Sequence, residues 1–286
     1  MASTLVRHRP RTASASSSQA AAAAPACERA RDWAEIQERM LVPLYEAVYD
    51  RLDVGAGTRL LGLGCGSGLA LLIAAGRGAR VTGADTDGAR LALARERLEA
   101  GGPGPGGARL VTGGPQEARE GWQAPYTLVT AFQPMGGAAG DADALAAAVH
   151  GAVPLCERGA SVVLTGWGPP ERCATSGVLR TAGAAVRPRG AALPGPGPAR
   201  DSLEDVAARA GLRPDGSGRV ACPFGYADTD SAVRGLLSTG ACDAALRASD
   251  RDRVAKELAE ALHPYRRPDG TVWMPNVFRY LIARTP

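Results

Sequence analysis

Lysine is almost missing from this chain of 286 residues: Lys256 stands alone among 33 basic residues, and the rest are arginine. Aromatics are also scarce, with Phe 3, Trp 4 and Tyr 6. No run approaches the roughly 18 apolar residues of a membrane span, so no membrane partner is expected. The cysteines, Cys27, Cys65, Cys156, Cys173, Cys222 and Cys242, include no CxxC pair, and no histidine lies at zinc-ligand spacing. That excludes a zinc module, predicts no metal site, and fits a reducing, cytoplasmic setting better than a disulfide framework. The 37 glycines have no three-residue period, which excludes collagen, and 45% hydrophobic residues exclude a wholly disordered chain.

The net charge of +4 is unevenly placed. Arg7, Arg9 and Arg11 lie in a stretch with no acid before Glu28, so most of the excess belongs to the N-terminus and the body is close to neutral. Without a clustered basic face, no nucleic-acid partner is expected. Residues 1–27 read as a disordered tail, because their only apolar block, Ala20–Ala24, is too short for a secretory core.

Beyond residue 27 the chain is patterned. Trp33, Ile36, Met40, Leu41, Leu44, Val48 and Leu52 recur at helical spacing, with Pro43 breaking the run, which predicts an N-terminal cover of two short helices over 28–56. A core over 57–187 alternates predicted strands (58–63, 79–84, 109–112, 127–132, 161–166) with helices (69–75, one capped by Thr86, and 142–149). Such alternation specifies a doubly wound, mostly parallel α/β sheet of about seven strands. A Pro/Gly-rich linker over 188–200 precedes a unit, 201–286, that completes the sheet and covers the site. Its expected elements are helices at 202–210, 231–237 and 251–262 and strands at 219–222 and 277–283.

The chemistry-bearing segment is Leu60–Gly68, LLGLGCGSG, placed between a strand and a helix. Gly64, Gly66 and Gly68 allow a tight turn and let a ligand lie against the main chain. Asp85 ends the next strand, 21 residues past Gly64, where a carboxylate can hold the hydroxyls of a ribose. A nucleoside ligand is therefore expected. The dinucleotide pattern GxGxxG fails, since Leu69 stands where its last glycine would fall from Gly64, and Ser67 where it would fall from Gly62.

The GxGxG present resembles motif I of the class I S-adenosylmethionine-dependent methyltransferases. The similarity continues through Val81–Asp85, Val111–Glu117, Leu128–Phe132, Ser161–Trp167 and an ending, Gly270–Arg284, like the closing strand of small-molecule enzymes of the ubiquinone and menaquinone type. The resemblance implies a Rossmann-like fold, S-adenosyl-L-methionine as cofactor, and a small organic acceptor. It implies cofactor contacts from Gly64, Cys65, Gly66, Gly68, Asp85, Thr86, Gln116 and Phe132, and an acceptor bordered by Tyr45, Gln133 and Trp167. Gly62 departs from the pattern, standing where the family usually has an acid near the methionine amine; Gly114 stands where an Asp often meets the adenine, leaving Gln116 or Glu117; Thr127 replaces a common Asp.

His263 is the histidine in the candidate lid and the candidate base. Cys65 reads as a small residue of the turn rather than a nucleophile. The aromatics of the cover segments, Trp33, Tyr45, Tyr49, Phe224, Tyr226, Tyr265 and Trp273, read equally as pocket walls or as packing. Two other functions remain open: a repurposed, non-catalytic binder of the same cofactor, and a nicotinamide-dependent oxidoreductase. The oxidoreductase lacks its usual Tyr-x-x-x-Lys pair, because Asp252 lies four residues before Lys256.

Overall fold

The computed structural model describes residues 25–101, 107–120, 124–135, 141–185 and 202–286. The expected tail to residue 24, most of the glycine loop after residue 101 and the linker lie outside the described residues. Among the described residues nine strands form: β1 (Arg59–Leu63), β2 (Arg80–Asp85), β3 (Ala108–Thr112), β4 (Tyr126–Met135), β5 (Cys156–Trp167), β6 (Arg213–Ala221), β7 (Phe224–Tyr226), β8 (Val272–Met274) and β9 (Val277–Arg284). Seven make one sheet in the order β3-β2-β1-β4-β5-β9-β6, and β7 pairs with β8 apart from it. β1 to β5 run parallel, while β9 is antiparallel to both β5 and β6.

The helices are α1 (Val42–Arg51), α2 (Leu69–Gly76), α3 (Gly88–Ala100), α4 (Pro115–Arg119), α5 (Asp141–Ala152), α6 (Ala174–Ala185), α7 (Ser202–Arg209), α8 (Thr229–Ser238), α9 (Asp243–Ala248) and α10 (Arg251–Ala261). Strand alternation sorts the core onto two faces. Leu60, Leu128, Val163 and Ile282 join Leu44, Tyr49, Leu71 and Val178 on one side. Leu61, Val129, Val162 and Leu281 meet Val149, Leu203 and Val206 on the other. Helices thus cover both faces, as the alternating pattern demanded.

Strand order reverses between β1 and β4: the chain goes from β1 outward to β2 and β3, then returns to β4 and β5 on the other side. Open sheets of this kind bind ligands beyond the strand carboxyl ends at such a point. The expected N-terminal cover lies there with a different local form. After a helical stretch over 25–32, the chain makes a π turn, Trp33–Gln37, and a 3₁₀ turn, Glu38–Leu41, before α1. Pro43 starts α1 instead of breaking a helix, since its missing N–H falls where no intrahelical acceptor exists. Likewise Asp87, not Thr86, caps α3, its carboxylate accepting from the N–H groups of Ala89 and Arg90.

Candidate active site

The turn after β1 adopts the conformation its glycines permit, with φ of 60° at Gly64, 58° at Gly66 and 78° at Gly68. Their roles differ. A Cβ on Gly68 would lie 2.8 Å from the Ala94 Cβ, so Gly68 brings α2 and α3 together. A Cβ on Gly66 would lie 3.0 Å from Trp33 Nε1 and 3.3 Å from Glu38 Oε1, so Gly66 opens the space under the N-terminal cover. Asp85, 7% exposed, fixes this turn from β2. One carboxylate oxygen accepts from the Gly66 N–H at 2.7 Å and the other from the Asp87 N–H at 2.9 Å, and each keeps a further lone pair for a hydroxyl.

A narrow cleft with about 20 Å³ of free space, partly open to solvent, lies between this turn, the end of β4 and the cover. Its walls are Gly62 to Gly66 and Leu71 below, Thr130 and Phe132 from β4, and Trp33, Glu38 and Tyr45 above. Tyr45 packs on Phe132 with ring centres 4.8 Å apart. Glu38, 2% exposed, accepts from Ser67 Oγ and pairs with Arg97 at 2.5 Å. Trp33, 6% exposed, lies under the Arg90 guanidinium, 4.6 Å from its ring centre, and its indole N–H has no acceptor among the described residues.

Of the residues singled out from sequence, Gly64, Cys65, Gly66, Tyr45 and Phe132 meet in this cleft. Gly68 and Asp85 shape it from behind. Thr86 is exposed just past β2. Gln116 turns to α5, its amide nitrogen 3.1 Å from where a Gly151 Cβ would be, and is not brought to the cleft. Glu117 accepts from the Gly114 N–H at 2.7 Å and so closes the start of α4; that bond holds its carboxyl below the usual value. Gln133 lies on β4, but its side chain is outside the described residues. Trp167 packs at a tilt on Phe278, 4.6 Å between ring centres, and edge to face with Phe224 at 6.2 Å, which places it in packing between β5, β9 and β7. His263 is exposed after α10 and does not line the cleft.

Sequence reasoning missed Glu38. An acid in an amphipathic stretch reads as a solvated helix face, and only the π and 3₁₀ turns rotate this one inward. Burial pushes the Cys65 thiol up to about 12, with Asp85 and Glu38 adding to the effect, so it stays protonated and is no nucleophile. Burial, then Glu38, holds the Tyr45 phenol well above its ordinary value.

No family profile matches the chain, and no curated protein does either. Solved structures match its fold. The YcgJ protein of Bacillus subtilis superposes with a TM-score of 0.55 at 12% identity, covering 84% of this chain and 97% of its own. BH2331 of Bacillus halodurans, assigned as a methyltransferase, gives 0.53 at 13%, covering 85% and 98%. The [4+2]-cyclase SpnF gives 0.51 at 16%, covering 85% and 80%. The chain has the Rossmann-like fold of class I methyltransferases. SpnF shows that this fold also carries other chemistry.

Proposed function

We propose that this chain is a cytoplasmic S-adenosyl-L-methionine-dependent methyltransferase acting on a small molecule. One observation carries the reading: the left-handed turn Gly64–Gly68, fixed from behind by the Asp85 carboxylate, borders a cleft at the strand-order reversal, next to a buried indole donor without an acceptor among the described residues. The donor set fits an adenosine with a charged side arm. Asp85 has lone pairs for ribose hydroxyls, and Gly64 and Gly66 allow close main-chain approach. Among the described residues no cluster of three or more His, Cys, Asp or Glu could hold a metal, and no helix is long and apolar enough to cross a membrane.

The cofactor, when bound, supplies a methyl already activated on a sulfonium, so alignment is the main demand on the protein. Phe132 and Tyr45 form the apolar wall that would exclude water beside the transfer. Tyr45 and Cys65 keep their protons at neutral pH, which leaves Glu38 as the one carboxylate among the lining residues. Acceptors that lose no proton before the methyl is transferred suit this cleft best.

The test is calorimetry with S-adenosylmethionine, S-adenosylhomocysteine and NAD. We expect heat with the first two only, and a loss of about tenfold or more in Asp85→Asn, since hydrogen bonds to a charged group contribute about 1.5–3 kcal/mol. Binding of NAD alone would overturn the reading. A repurposed binder is the second reading, favoured by Gly62 and Gly114; it predicts binding with no methyl transfer to any acceptor.

A further inference from the structure

We propose that Glu38 and Trp33 hold the amino-acid end of the ligand, Glu38 receiving its ammonium group in place of the acid that position 62 lacks. This rests on the S-adenosylmethionine reading. Gly62 has no room for that acid as the molecule is packed: a Cβ there would lie 2.9 Å from Leu71 Cδ2, and the same leucine lies 2.5 Å from where a Gly83 Cβ would be. Leu71 therefore fills the floor of the cleft across two glycines. A charge for the ligand's amine must come from another wall.

The cover supplies it. Glu38 Oε2 is used by Ser67 Oγ and by Arg97, whereas Oε1 has only the Leu69 N–H at 3.5 Å among the described residues, and Glu38 is one of the residues that line the cleft. That oxygen and the Trp33 indole nitrogen lie 3.3 Å and 3.0 Å from one point, the place a Gly66 Cβ would occupy. The pair is an acceptor carrying charge and a donor with no acceptor among the described residues, both close to that one point. A buried N–H without an acceptor is rare in folded proteins, and a ligand carboxylate completes it. An ammonium and a carboxylate on one carbon match the two groups. The π turn puts Trp33 in place, and the 3₁₀ turn that follows it directs Glu38 inward, as local departures from α-helix often do at functional sites.

The full chain is titrated calorimetrically with S-adenosylhomocysteine and with 5′-methylthioadenosine, which keeps the adenosine and thioether but lacks the amine and carboxylate. Glu38→Gln is expected to weaken S-adenosylhomocysteine about tenfold and to leave 5′-methylthioadenosine within about twofold. Trp33→Phe should shift the ratio in the same direction, and it leaves the Glu38–Arg97 pair intact if Glu38→Gln does not fold. Unchanged affinity for S-adenosylhomocysteine in both variants, or an equal loss for the two ligands, overturns the proposal. If the unaltered protein binds neither ligand, the cofactor reading itself fails.

Discussion

Among single residues, the glycines of the turn separate architecture from binding. Gly68 is held at φ 78° with the Ala94 Cβ 2.8 Å from its own absent Cβ. A side chain there meets both a left-handed backbone and a neighbouring helix. Gly68→Ala should cost about 2 kcal/mol or more, a fall of roughly 4–8 °C in Tm for a domain of this size. Adding Ala94→Gly removes the contact at 2.8 Å but leaves the Ala94 Cα at 3.1 Å and adds a helix-interior glycine, so it should not restore the Tm. A melting temperature unchanged in Gly68→Ala would show that the turn does not need the left-handed form. Gly66 has the same backbone constraint, but its neighbours are Trp33 and Glu38, so its substitution belongs to the site.

At the scale of elements, the N-terminal cover is tied down by partners far along the chain. Tyr226 Oη donates to Gln37 Oε1 at 2.8 Å, Arg234 forks onto Asp32, and Arg97 donates to the Ala34 carbonyl. β7, through Tyr226, and α8, through Arg234, thus hold the segment that roofs the cleft. Gln37 is fully buried. Tyr226→Phe leaves its carbonyl without a donor, at about 1–3 kcal/mol. The expected result is a lower Tm and faster amide exchange over residues 33–41, with the sheet core protected as before. Exchange that rises equally everywhere would mean that the cover does not open separately.

The parallel core was legible in the sequence because buried strands and glycine turns leave strong local signals; the predicted strands at 58–63 and 79–84 differ from β1 and β2 by about a residue at each end. β6 runs longer than the predicted 219–222, since Arg213, Pro214, Asp215 and Gly216 carry no apolar alternation and are strand only through pairing with β9. The β7–β8 pair went unseen for the same reason: three-residue strands 45 or more positions apart have no local signature. The glycines and Asp85 stood out by motif and spacing and Tyr45 and Phe132 through the family resemblance; of these, Gly64, Gly66, Tyr45 and Phe132 line the cleft. Glu38 did not stand out, because a π turn followed by a 3₁₀ turn breaks the 3.6-residue period by which a buried face is recognised.

The scarcity of lysine has a consequence for the whole molecule. With a single lysine in the chain, the thiols and phenols govern alkaline behaviour. Burial raises Cys65 and Cys156 to about 12 and Cys222 and Cys242 to about 11, against an ordinary value of 9.0, and raises Tyr45, Tyr49 and Tyr226 as well. Between the ordinary and the raised values the unfolded chain releases protons that the folded chain retains. Stability is therefore complete below about pH 9 and falls as pH rises toward 11 to 12, because the native state binds more protons than the unfolded one. Thermal melts at pH 8, 9, 10 and 11 should show a flat Tm followed by a steepening decline. Cys156→Ala, at a position that does not border the cleft, should flatten that decline, and a Tm constant from pH 8 to 11 would show that these thiols are not held protonated by the fold.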